Sequence, residues 1–385
     1  MLFQTPSLTQ TELDVLSRVD KIRESLRYQL AQPGRWVGLL RSVSFGRAIR
    51  GSNSIEGYDV RLDDAVLTAD ADGPSDKEAE AWRAVVGYRD AMTYVLQLAD
   101  DPHFEYDEAL IRSLHFMMLK YDLDKSPGRW RPAPVHVTDE RTQEIVYTGP
   151  EAYEVPDLMR SLVRELSADD PDVPVMIRAA MAHLNLVMIH PFRDGNGRMA
   201  RCLQTLVLSR EGVLEAPFVS IEEYLGTGSN TVDYYRVLAE VGGGVWQPER
   251  DGRPWIRFIL TAHYRQAQTL AMRAHESEHR WEMIAREAET NGLPERSIPV
   301  LFNASLGFRI RNSTYQDVAD VSTTVAGRDL RALVAAGLLA AIGERRGRYY
   351  RAAPRLVDIN REVRRTRRLV EDPFEDALVP RTLGL

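Results

Sequence analysis

Apolar residues recur at helical spacing over most of the chain. Leu13, Val15, Leu16, Val19 and Ile22, continued by Leu26 and Leu30, predict an N-terminal helix capped by Thr11 and broken at Pro33-Gly34. A second periodic segment runs from Trp36 to about Ile49. The polar, Gly-bounded stretch Gly51 to Gly57 that follows reads as a loop or a short helix. Helical spacing resumes at Ser75 with Trp82, Val85, Val86, Tyr88 and Ala91, and Asp107 is placed to cap a helix through Leu119. Two β-prone runs, Val135–Thr138 and Ile145–Thr148, flank six polar residues and predict a hairpin. Pro174 opens a strongly apolar helix that closes at His190-Pro191. A glycine turn leads into another helix that reaches Gly212. Further helices are expected from Tyr234 to Val241 and from Trp255 through Trp281.

The pattern changes near residue 313. A short helix at Tyr315–Ala319, a helix from Ser322 to about Ala336, a stop at Gly337 and two short strands around Gly343–Gly347 resemble a winged helix-turn-helix. Composition is that of an ordinary globular chain, 44% hydrophobic and 27% charged. The longest near-apolar run, Ala332–Ile342, is far short of the ~20 residues that span a bilayer, so no membrane association is expected. The one cysteine, Cys202, excludes an intrachain disulfide, and no basic-then-apolar leader precedes Leu13. A cytoplasmic location is expected. Net charge is −7, which disfavours non-specific nucleic-acid binding by the whole molecule. The balance is uneven: Arg311 to Val370 carries thirteen arginines against six acidic residues, and the stretch after it is acidic.

The densest chemistry lies in His190-Pro191-Phe192-Arg193-Asp194-Gly195-Asn196-Gly197-Arg198-Met199-Ala200-Arg201. Gly195, Asn196 and Gly197 permit a backbone nest of inward-pointing amides, and a helix starting near Arg198 adds its positive N-terminal end. Arg198 and Arg201, three apart, share a face and suit a polyphosphate. Asp194 offers one carboxylate to a hard cation such as Mg²⁺. His190, at the lip of the turn, has the ordinary pKa of a general base near neutrality. Together these residues point to transfer of a phosphorus-containing group. No Lys-Ser/Thr pair follows the glycines, so the turn is not a P-loop.

This stretch resembles the signature of the Fic family, His-x-Phe-x-Asp/Glu-Gly-Asn-Gly-Arg-x-x-Arg, at all eight defined positions. A chance match in a chain of this length is on the order of one in 10⁸. Trp130-Arg131 before the hairpin looks like the family's flap, and Tyr234-Tyr235 and Pro254-Trp255-Ile256 are similar to family positions. The resemblance implies a mostly α fold: a Fic-type helical core with a small β-hairpin flap, plus the C-terminal winged-helix unit. The expected division is an N-terminal helical region 1–75, a core 76–270, a helical connector 271–300, a winged-helix-like unit 301–353 and a basic-then-acidic tail 354–385.

The activity it implies is adenylyl transfer from ATP to a Ser, Thr or Tyr hydroxyl of a target protein, self-modification included. His190 would take the proton. Asp194 would bind Mg²⁺, with Mn²⁺ as an alternative. Gly195, Asn196, Gly197, Arg198 and Arg201 would hold the phosphates, with Arg201 on the γ-phosphate, and Phe192 would anchor the loop in the core. Ser52-Asn53-Ser54-Ile55-Glu56-Gly57 matches the family's inhibitory pattern, which would set Glu56 against Arg201 with Ser52 beside it. Tyr234 or Tyr235 is a candidate neighbour of the nucleobase. His183 and Cys202 read as packed core residues. His136 in the hairpin is given no function.

Other readings stay open: use of another nucleotide, removal of AMP, or a DNA-binding regulator whose Fic core senses nucleotide. For the last, Arg328 and Arg331 would face the major groove, Arg345, Arg346 and Arg348 would form the wing, and the Arg361–Arg368 cluster would add phosphate contacts. The intact His190 argues against a pure sensor. A docking or homodimerisation role for the winged-helix-like unit is favoured over DNA binding.

Overall fold

The computed structural model describes residues 1–66, 76–139, 142–168, 170, 172–210, 212–344, 347–367 and 370–374. Arg345, Arg346 and Arg368, and the acidic end from residue 375 on, lie outside the described residues. The expected α-rich architecture is present. The first helices are α1 (Gln10–Ala31), α2 (Trp36–Ile55), α3 (Leu62–Val66), α4 (Asp76–Leu98) and α5 (Glu108–Leu119). A hairpin of β1 (His136–Thr138) and β2 (Ile145–Thr148) follows. Then come α6 (Val155–Ser167), α7 (Val175–Ile189), α8 (Asn196–Ser209), α9 (Ala216–Val219), α10 (Glu222–Leu225), α11 (Asn230–Gly242) and α12 (Arg253–Thr290). The chain closes with α13 (Ile298–Ser305), α14 (Asn312–Ala319), α15 (Thr323–Ala335), β3 (Leu339–Ile342), β4 (Tyr349–Ala352) and α16 (Pro354–Val363).

Two boundaries differ from the pattern reading. The cap of α1 is Thr9, not Thr11: the Thr9 side chain accepts from Glu12 N while the Glu12 carboxylate accepts from Thr9 N, a capping box. Helix α2 does not end at Ile49 but continues through the polar stretch to Ile55. Asn53 Nδ2 donates back to Ile49 O at 2.8 Å, and Ser54 Oγ donates to Gly51 O at 2.9 Å, so these side chains satisfy helix carbonyls. Gly51 lets α2 press on α10; a Cβ there would lie 2.4 Å from Glu222 O.

At the centre α7 and α8 form the most extensive helix pair, almost wholly buried. A broad apolar face, broken by the buried His183 and Asn185, accounts for α7. Helix α8 instead carries a buried polar stripe of Arg198, Arg201, Gln204 and Thr205. Its members find partners on surrounding helices. Gln204 meets His183 at 2.6 Å and His263 at 3.1 Å, His183 meets Tyr234 OH at 2.9 Å, and Thr205 donates to Glu222 at 3.2 Å. Helix α12, 38 residues and about 57 Å long, passes under α7, where Trp255 Nε1 donates to Ala180 O. It runs through residue 270 without a break, so the expected core and connector share one helix.

Beyond it, α14, α15 and the antiparallel β3–β4 ribbon occur in the order expected of the winged-helix-like unit, and Ile310 adds a bridge to Tyr350. The tail from residue 354 begins with a helix that the pattern reading did not include. Leu356, Ile359 and Val363, three and four apart, bury α16 against α12 and α13. Among the described residues no helix is long and apolar enough to cross a membrane.

Candidate active site

The turn between α7 and α8 is built from two left-handed residues. His190 ends α7 at φ +52° and Gly195 precedes α8 at φ +76°. Gly195 has a second reason to be glycine: a Cβ would sit 2.9 Å from Leu119 Cδ1. The loop between them is locked from inside. Phe192 is fully buried and stacks on the His115 ring at 3.6 Å. The Asn196 amide clasps the Phe192 backbone, accepting from its N–H and donating to its C=O, both at 2.9 Å. The Asn196 side chain is committed to the loop, so only its main-chain N–H is left to face a phosphate.

His190 is half-buried, and its Nδ1 lies 3.0 Å from Val187 O. A carbonyl only accepts, so Nδ1 carries the hydrogen and Nε2 holds the lone pair. Burial, aided by the Arg131 charge, pushes the His190 pKa below its usual value despite the Val187 carbonyl, Glu56 and Asp194. The imidazole is therefore neutral at pH 7. Arg131 fixes the same residue from the flap side: it donates to His190 O at 2.8 Å, Ala133 O at 2.8 Å and Pro150 O at 2.6 Å.

Asp194 stands at the mouth of the turn. Its Oδ1 accepts from Gly195 N and its Oδ2 lies 2.9 Å from Lys125 Nζ. Burial raises its pKa, but the Lys125 hydrogen bond and the Arg198 charge outweigh this and hold it below the usual carboxylate range. Arg198 is 1% exposed; its Nε and Nη1 are buried without a hydrogen-bond partner, and its guanidinium lies 5.4 Å from the centre of the Tyr58 ring. Buried guanidinium donors left unmet are uncommon and mark a place for an anion.

Arg201, also buried, is met from α2. It donates to Ser52 Oγ at 2.8 Å, Ser52 O at 2.9 Å and Glu56 Oε1 at 2.6 Å, while Nη1 has no partner. Burial would lower the Arg201 pKa; the Glu56 carboxylate more than reverses that and holds it above the usual value. Gly197 forms the floor of this cradle, since a Cβ would lie 2.6 Å from Glu56 Oε1 and 3.1 Å from Arg201 Nη1.

Comparisons with known proteins fit this geometry. A model of the Fic/DOC family matches residues 105–208. The segment 105–208 is a Fic domain. Over 259 residues, 66% of this chain and 55% of the relative, it is 28% identical to a protein adenylyltransferase Fic of Nematostella vectensis. Over 79 residues, 20% of this chain and 24% of the relative, it is 34% identical to a probable protein adenylyltransferase of Aquifex aeolicus. The chain thus spans little more than half the first relative and about a quarter of the second. Among solved structures, a Fic family protein from Desulfovibrio desulfuricans G20 superposes with a TM-score of 0.56 at 20% identity, covering 91% of this chain and 98% of that one. That likeness extends the shared fold well beyond the Fic domain.

Every motif residue expected from the sequence lies in or beside the turn. Ser52 and Glu56 reach it from outside the matched Fic segment. His183 is buried between Gln204 and Tyr234, as expected of a packed residue, and burial pushes its pKa down to about 3. Tyr234 is in the core; Tyr235 is half-exposed and donates to Ile55 O at 3.2 Å. Sequence reasoning missed His115, Lys125 and Tyr58. His115 had a signal, a histidine inside the apolar stripe Ile111-Leu114-Met118 of the Fic domain. It is neutral, its pKa pushed down to about 4 by burial, accepts from Gly128 N, and donates to Asp194 O at 2.8 Å. Lys125 and Tyr58 had none.

Proposed function

We propose that this chain is an adenylyltransferase that moves AMP from ATP to a hydroxyl side chain of a target protein, held in check by Glu56. The observation that carries the reading is the pairing of a neutral imidazole, its Nε2 lone pair available, with buried, unmet guanidinium donors across a glycine turn. The main-chain N–H groups of the first turn of α8 and the side chains of Arg198 and Arg201 bind the triphosphate. The substrate hydroxyl oxygen attacks the α-phosphorus and His190 Nε2 takes its proton. The new O–P bond forms as the α–β bridging P–O bond breaks, and pyrophosphate leaves with that electron pair. Phe192 and Asn196 keep the turn rigid, and Arg131 ties it to the β1–β2 flap that faces the target.

Asp194 fits a hard divalent cation, Mg²⁺ or Mn²⁺, because such an ion needs only one protein carboxylate beside phosphate oxygens. The ion would neutralise phosphate charge; Lys125 would release the Asp194 oxygen it now holds. Glu56 and Ser52 occupy Arg201, the group assigned to the γ-phosphate. ATP cannot take its full set of contacts while that ion pair stands. Residues 76–270 carry the reaction. The unit at 301–353 is assigned to partner recognition.

The test is incubation of wild-type, Glu56→Gly and Glu56→Gly/His190→Ala protein with each α-labelled nucleoside triphosphate and cell lysate. Label from ATP alone, stronger in the first variant and lost in the double variant, is the expected result. No label from any nucleotide overturns the reading.

A further inference from the structure

A second basic pocket lies away from the α7–α8 turn, where α2, α12, α13 and the segment after α16 meet. Its enclosed part, about 20 Å³, has room for about one water, and the exposed Arg364 and Arg367 leave its mouth open to solvent. Five guanidiniums converge on it: Arg47 from α2, Arg273 and Arg280 from α12, and Arg364 and Arg367 from the chain end. Among the described residues two carboxylates answer them. Glu223 is paired with Arg47 at 3.1 Å and with Arg273, and Glu276 is paired with Arg367 and stands 3.9 Å from Arg280. The cluster keeps a formal charge of three positive units. Arg364 has no carboxylate in salt-bridge range among the described residues. Arg280 is 2% exposed; Nη2 donates to Asn360, but Nε is buried with no partner, as is Nε of Arg47.

Like charges this close are costly to assemble in a partly dry pocket unless something offsets them. Burial and the neighbouring guanidiniums push Arg280 down to about 10 and lower Arg47 and Arg364 too, despite Glu276 and Glu223. The surplus donors are planar forks, suited to tetrahedral oxyanions.

We propose that this pocket binds a small phosphate-type oxyanion, which bridges α2, α12 and the segment that follows α16. The ion takes the unmet Nε hydrogens of Arg280 and Arg47 and the charge of Arg364. It thereby ties the chain end to the helix that carries Ser52. The site goes beyond the proposed activity and does not depend on it.

The probe is inorganic phosphate, titrated calorimetrically into the full chain at constant ionic strength. The informative variant is Arg364→Gln, because Arg364 sits at the rim and its loss leaves the buried pairs intact; an unchanged melting temperature without phosphate checks the fold. Arg198→Gln reports binding at the α7–α8 turn. Expected is a saturable binding component kept by Arg198→Gln and weakened ~10-fold or more by Arg364→Gln, about 1.4 kcal/mol. O-phosphoserine in the same titration separates free phosphate from a phosphoryl group on a larger molecule: a signal that Arg364→Gln reduces supports the site in either form. Phosphate should also slow amide exchange across residues 40–50. Absence of saturable binding, or binding lost in Arg198→Gln and untouched in Arg364→Gln, overturns the proposal.

Discussion

His190 adopts a left-handed backbone angle that costs a non-glycine residue on the order of 1 kcal/mol. What it gains is position: the ring reaches the Val187 carbonyl, which settles its tautomer, and the other nitrogen is left to act. If it is the base, His190→Ala should lower label transfer by ~10²–10⁴-fold in single-turnover assays with α-labelled ATP, with little change in melting temperature. Its lowered pKa gives a pH prediction. A base whose pKa is below 6.5 stays unprotonated at and above neutrality, so kcat/KM should be flat from pH 7 to 8 and fall only on the acid side of pH 6.5. A limb centred above pH 7 would contradict this.

At the scale of elements, the decisive packing is α2 against α8 and α10. Glu56 extends one turn past helical residues whose small side chains, Gly51 and Ser52, permit contact with α10 and α8. Glu56→Gly should raise transfer within the ~5–150-fold range of regulatory couplings, measured against the same lysate. A substitution that moves the helix instead of removing the acid tests the same idea. In Gly51→Ala the new methyl meets the α10 backbone, so stability should drop by about 1–3 kcal/mol in urea unfolding and transfer should rise. At the other end of the same layer, Thr9→Ala removes half of a capping box and should cost about 1 kcal/mol.

Across the whole molecule, buried titrating groups set the acid response. His115, His183 and His263 are held neutral by burial, with pKa values below the unfolded value of 6.5. A depressed pKa contributes stability above the unfolded value and loses it as pH falls. Each histidine therefore withdraws up to ~1.4 kcal/mol per pH unit below pH 6.5. Glu222 acts in the opposite sense. Burial raises its pKa to about 7, so the folded state takes up a proton there and offsets one histidine. The net expectation is a falling urea midpoint from pH 6.5 to 4.5. Below that, Glu223, held near 2 by Arg273 and Arg47, loses its pairs only in strong acid.

The twelve residues from His190 to Arg201 were legible in the chain itself, because neighbours along a turn are neighbours in space whatever surrounds them. Helix spacing, the hairpin and the order of elements after residue 312 were legible for the same reason: each depends on periodicity over a few residues. Tertiary structure alone decided what meets the turn. Arg201 and Glu56 lie 145 positions apart, and the family resemblance, not any local physical pattern, pointed to their contact; Asp194 is 69 positions beyond Lys125, and nothing in the chain pointed to that one. The same holds for the unmet charge of Arg280, since whether a guanidinium is buried without a partner depends on which helices close around it.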